Sequence, residues 1–142
     1  MRTIILLLSF LIVSACFHKT SGPDDQFDVN YLAYDKEENL ILQGMLHFTV
    51  KEDSTVTGSW EIDWVPGANT SLQVGPQIGS GGLVGYIMEG LLYLDLNPGW
   101  ADNNVILRGI WSENEMDGAW WWVTFVGPTT YGRFHLEINT IR

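Results

Sequence analysis

From residue 40 onward, apolar and polar residues alternate with a period of two rather than 3.6, and this alternation most narrows what the chain can fold into. Leu40, Leu42, Gly44, Leu46, Phe48 and Val50 share one face of a strand, with Ile41, Gln43, Met45, His47, Thr49 and Lys51 on the other. The pattern recurs over 56–64, 83–87, 92–96, 105–111, 116–126 and 132–138, and no segment carries a helical stripe. Nearly every strand sets one glycine on the face read as inward (Gly44, Gly58, Gly85, Gly109, Gly118, Gly132), where a missing side chain lets a sheet coil sharply. An internal repeat supports this register. Val56, Gly58 and Trp60 match Met116, Gly118 and Trp120, while Leu42, Gly44 and Leu46 match Leu107, Gly109 and Trp111, so the repeating unit is a hairpin. With a first strand at 27–34, the chain is predicted to be all-β: an antiparallel up-and-down meander of about eight strands closing into a barrel, with a flattened β-sandwich as the alternative.

Composition fits one such domain. The chain has 142 residues, 46% hydrophobic and 13% aromatic with 7 Trp, enough bulky material for a core without disulfides. Its 17 acidic and 7 basic residues give a net charge of −10, which excludes a nucleic-acid binder that tracks phosphates.

The N-terminus reads as an address. Arg2 precedes apolar runs at 4–8 and 10–13 and then the small residues Ser14 and Ala15, a pattern too short to cross a bilayer and typical of a signal peptide at 1–15. Val13-Ser14-Ala15-Cys16 resembles the lipobox of bacterial lipoproteins, and Cys16 is the chain's 1 cysteine. The resemblance implies that Cys16 is lipidated, becomes the new N-terminus and anchors the protein to a membrane of the cell envelope. Phe17 stands where an Asp would mark retention at the inner membrane, which points to the outer membrane. Loss of Arg2 takes the mature charge from −10 to −11, so membrane contact is expected through the lipid rather than through charge. Residues 18–26 are polar and turn-rich, so 16–26 reads as a lipidated tether, with the barrel domain at 27–142.

Gly58-Ser59-Trp60 is similar to the Gly-x-Trp signature of the lipocalin and avidin group of calycin-type barrels. That resemblance implies a small barrel that binds a hydrophobic small molecule. In lipocalins, however, the tripeptide lies on the first strand and a C-terminal helix follows. Here it falls on the second or third strand, an equivalent Gly118-Ala119-Trp120 recurs, and no helix follows.

In a meander, connections alternate between the two ends of the barrel. The segments 51–54, 89–90 and 113–115 share a tight, acidic end, which the tether also enters. The other end collects 35–39, the long 66–81 loop, 98–104 and 127–130, and should point away from the membrane. Loops on a rigid scaffold are where binding usually resides. Gly75, Gly79, Gly81 and Gly82 make the longest loop either a mobile lid or a solvated excursion. Gln77, Asn97, Trp100, Asp102 and Asn104 are the candidate ligand-binding residues there, because amides and a carboxylate beside an indole suit a polar ligand such as a glycan. Turn formation alone would select many of the same residues, and Trp100 plugging the mouth is the structural alternative.

The remaining chemistry is sparse. His18 lies in the tether, and His47 and His135 fall on outward parity, as do Asp63 and Asp95, which are a candidate carboxylate pair across the sheet. No metal-ligand spacing, calcium loop or serine-nucleophile motif is present, and no metal or cofactor is expected. Trp60, Trp64, Trp111, Trp120 and Trp122 share inward parity and read as a filled core. Ile106, Ile110, Trp121, Val123 and Phe125 form an outward apolar patch that marks a partner. The leading expectation is a non-catalytic envelope lipoprotein that binds a small molecule or glycan at its long-loop end. A protein-interaction module, such as an inhibitor of an envelope hydrolase, comes second, and an enzyme third.

Overall fold

The computed structural model describes residues 24–112 and 114–141, without the side chain of Thr140; the predicted signal peptide, Cys16 and most of the tether lie outside them. Eight strands follow one another: β1 (Asp25–Tyr34), β2 (Leu40–Val50), β3 (Thr55–Trp64), β4 (Gly79–Met88), β5 (Leu91–Asp95), β6 (Asn103–Trp111), β7 (Glu115–Thr124) and β8 (Gly127–Ile141). Each pairs antiparallel with the next, and β8 returns to β1 through Phe27↔Ile141 to Tyr34↔Arg133, closing the barrel. Closure removes every sheet edge and sets aside the flattened sandwich. Every ladder and every buried core residue among the described residues falls between 25 and 141.

Two strands begin four or more residues earlier than the alternation predicts. β4 starts at Gly79, not at residue 83, because Gly79 to Gly82 pair with Ile62 to Ser59 while carrying no apolar side chain to reveal the strand. The open face of Gly81 receives the Trp60 indole, whose Cζ2 lies 2.7 Å from where a Cβ would stand. β8 starts at Gly127, not at residue 132, and the hairpin before it turns through Phe125 and Val126 alone, since Thr124 pairs with Gly127. A register shift between Ala33 and Tyr34 also lets β2 skip a residue. As a result Ile41 turns inward beside Leu42, while Leu40, predicted inward, faces solvent.

The inward glycines serve curvature. Gly109 and Gly118 face each other across β6 and β7, and a Cβ on Gly118 would meet the Arg108 carbonyl and sit 2.5 Å from the Gly109 Cα. The Phe134 ring fills the space they leave, with Cζ 2.8 Å from a Cβ built on Gly109.

The interior is filled. At the tight-turn end Phe27 stacks on Phe48 at 5.4 Å and meets Trp111 edge-on at 5.0 Å. Midway, Tyr31 lies over Phe134. Toward the other end the inward indoles find backbone acceptors: Trp60 Nε1 donates to the Leu96 carbonyl at 2.7 Å and Trp120 Nε1 to the Tyr34 carbonyl at 3.0 Å. Among the described residues, no buried side-chain nitrogen or oxygen lacks a partner.

Candidate functional site

The long loop is a plug, neither a lid nor a solvated excursion. It leaves β3 through a turn closed by Ala68 N to Val65 O (3.1 Å), with Pro66 and Gly67 at its centre and the left-handed φ of 83° on the glycine. The chain then folds inward. Leu72 packs on the core, Val74 is buried, and Gly75 lies flat on the Trp122 indole, where a Cβ would come within 2.5 Å of Cδ1. Gln77 has 0% of its surface exposed. Its Nε2 donates to the Val74 carbonyl and its Oε1 accepts from the Tyr31 hydroxyl, both at 2.7 Å. Burial raises the pKa of that hydroxyl far above the usual phenol value and keeps it a donor. Thr130 Oγ1, bonded to the Gln73 carbonyl at 2.6 Å, fastens the plug to β8. Gln77, expected at the solvent-facing mouth, thus belongs to the core, because its amide completes the hydrogen bonding of Tyr31.

The β5–β6 loop is held by its own polar groups. Asp95 Oδ1 accepts from the Asn97 amide (2.9 Å) and Oδ2 from Asn104 Nδ2 (2.7 Å), while Asn97 Nδ2 donates to the Asn103 carbonyl (2.7 Å). Asn97 and Asn104 therefore form the loop. Trp100 stands at its tip, 63% exposed beside the exposed Asp102, so it does not plug the mouth. Between the β1–β2 loop and the plug lies a cleft of about 230 Å³, below the roughly 300–1,000 Å³ of ordinary ligand pockets.

A larger feature lies on the outer wall. Tyr93, Asp95, Asn104, Ile106, Trp121 and Val123, with Pro128, line a shallow groove of about 500 Å³ across β5, β6 and β7. It joins Asp95 and Asn104 of the loop network to the predicted outward patch, since Ile106 pairs with Trp121 across the β6–β7 ladder. Tyr93 stacks on Tyr86 at 5.0 Å. Partial burial, then the Asp95 charge and then Tyr86, raise the Tyr93 pKa, so its hydroxyl stays protonated and available as a donor. The groove thus offers two aromatic faces, an aliphatic floor, a carboxylate and an amide. Other depressions of about 470 and 530 Å³, beside the β1–β2 loop and across β1 to β3, present no exposed aromatic face. From sequence the groove was half visible: parity exposes Trp121, but the juxtaposition of β5 with β7 needs the closed register.

The outward patch continues beyond the groove. Ile110 and Phe125 are exposed, together with Val84, Tyr86 and Met88 on β4. Asp63 and Asp95 do not form a pair, because β4 separates their strands and Asp63 lies opposite Gln43. The barrel does assemble one cluster that the sequence spacing hides. Glu115, Asp117 and His135 present ligand atoms within 4.8 Å of one another across β7 and β8. Asp117 Oδ1 already accepts from His135 Nδ1 at 3.0 Å and lies 3.5 Å from Arg133 Nη1, whose Nε bonds Glu38 at 3.0 Å, which makes the patch an exposed ion-pair network.

The fold and this groove together define an eight-stranded, up-and-down β-barrel with a filled interior and an aromatic outer face. No protein-family model matches the sequence, and no curated protein matches it.

Proposed function

We propose that this chain is a non-catalytic binding module of the bacterial cell envelope, anchored through Cys16, that recognises a saccharide on its outer wall rather than a ligand inside the barrel. The observation that carries this reading is the pairing of a plugged interior with an outer groove holding the Trp121 and Tyr93 rings beside Asp95 and Asn104. A pyranose presents apolar C–H faces and equatorial hydroxyls. The first stack on aromatic rings, and the second bond to a carboxylate and an amide. Asp95 is suited to accept because the groups bonded to its carboxylate are neutral donors, the Asn97 amide and Asn104 Nδ2.

The test is calorimetric titration of the chain with neutral cello- and chito-oligosaccharides. Trp121→Ala should weaken binding by about tenfold or more, the cost expected for losing an aromatic anchor. Unchanged affinity in that variant, or no binding across the panel, contradicts the saccharide reading. A protein partner is the second reading, favoured by the exposed Val84, Tyr86, Met88 and Ile110, which extend the patch away from the groove. Co-purification that is lost in Met88→Lys and Ile110→Lys, with saccharide binding absent, would select it.

A further inference from the structure

The β7–β8 hairpin turns through two residues that no turn would select. Two-residue hairpin turns favour Asn, Asp and Gly. Here they are Phe125 and Val126, 90% and 92% exposed, and the left-handed position falls on the following Gly127 (φ 107°). Nothing inside the barrel gains from this choice. A local rule broken without internal compensation points outside the molecule.

We infer that this tip inserts into a zwitterionic lipid bilayer. In a chain with 17 acidic and 7 basic residues, residues 118–132 contain no charged side chain, so the hairpin enters a low-dielectric medium without burying a charge and gains nothing from anionic headgroups. A two-residue turn leaves few backbone groups unpaired, because Thr124 and Gly127 already close the ladder. Trp100, 63% exposed on the loop next to it, and Tyr131, 57% exposed on β8, stand at the flanks where amphipathic aromatic rings favour the lipid–water interface. Thr124 and Thr129, whose hydroxyls lie 3.2 Å apart, sit between them.

A protein partner fits the tip less well. Stable protein interfaces bury about 1,200 Å² or more, whereas this is a narrow convex wedge of two side chains, which a fluid medium accommodates without a matching slot. The tip lies at the end of the barrel opposite Asp25, but the residues between Cys16 and Asp25 reach at most about 30 Å when extended. That is comparable to a barrel height of roughly 25 Å for a ten-residue strand tilted by about 40°. A chain anchored at Cys16 can therefore present the tip to its own bilayer, which reverses the orientation expected from the tether's entry at the tight-turn end.

For the test, the full-length chain carrying Cys16→Ser and Val126→Cys is labelled with a polarity-sensitive fluorophore and reconstituted into phosphatidylcholine vesicles. The expected result is a blue shift with about a twofold or greater rise in intensity, quenched by acyl-chain spin labels. A label at Glu52→Cys, on the opposite end, should show neither, and adding Phe125→Asp should remove the response. As a readout free of the label, brominated phosphatidylcholine should quench the native chain's tryptophan emission more than it quenches that of Trp100→Phe. A label at 126 that stays water-exposed on protein-bearing vesicles overturns the inference, as do an equal response at 52, a response without vesicles, or failure to float with vesicles. Saccharide titration without vesicles is a separate measurement, so either reading can fail alone.

Discussion

Gln77 and Tyr31 show how one polar pair can decide the use of a barrel. Their 2.7 Å hydrogen bond lies inside the cylinder, where a calycin-type ligand would otherwise sit. Gln77→Leu should cost about 2–3 kcal/mol by leaving the Tyr31 hydroxyl buried and unpaired. Adding Tyr31→Phe should recover most of that loss, because both partners are then apolar, and urea melts of the two single variants and the double variant check it. Asp35 tests a surface device. Partial burial raises its pKa, but hydrogen bonds from the Asn39 side chain, the Asn39 and Glu37 amides, and the Lys36 charge together hold it below 3.8. A carboxyl depressed in the folded state contributes stability above its unfolded pKa and loses it as pH falls through the folded value. Asp35→Ala should therefore cost at most about 1 kcal/mol at neutral pH, because solvent screens so exposed a carboxylate, and the difference should shrink as pH falls through the lowered folded pKa. Persistence of the full difference in acid melts would show that the carboxylate is not responsible. Of these residues, the inward tryptophans were legible from parity. Gln77 was not, because its partner lies 46 positions away and an amide in a glycine-rich loop looks the same whether it faces water or a phenol.

At the scale of elements, period-two alternation reveals a strand where side chains alternate and conceals one where they are missing. β2, β3 and β7 were readable because each repeats an apolar, glycine, apolar beat. The start of β4 was hidden by Gly79, Gly81 and Gly82, and the start of β8 by Pro128 and two threonines that carry no apolar signal. Register shifts near Ala33 and Trp122 are likewise invisible to parity, since each depends on where the neighbouring strand ends. The curvature assigned to the inward glycines gives a direct comparison. Gly118→Val forces a side chain into the Arg108 carbonyl and should cost roughly 3 kcal/mol or more. Ser59→Thr, exposed on the outer face, should change stability by less than about 0.5 kcal/mol. Equal effects in thermal melts would show that the two faces are misassigned.

For the molecule as a whole, a barrel filled by its own side chains leaves function to its outside. Closure brings Asn104, a candidate of the β5–β6 connection, and Asp95, an outward carboxylate of β5, into the same groove as Trp121 and Ile106 of the outward patch. Neither local pattern contains the register that joins them. Cys16→Ser should abolish acylation and cleavage by the lipoprotein pathway, as read by mass spectrometry of the N-terminus of envelope-extracted protein. The most direct test of the outer-wall reading is heteronuclear NMR of the chain titrated with a neutral oligosaccharide that binds it. The account predicts saturable shifts at the Trp121 indole N–H, the Asn104 side-chain amide and the backbone of 93–95, with the Gln77 amide and the Trp60 indole unmoved. Shifts concentrated at Gln77, Tyr31 and Trp60, with the outer wall silent, would place the ligand inside the barrel and contradict it.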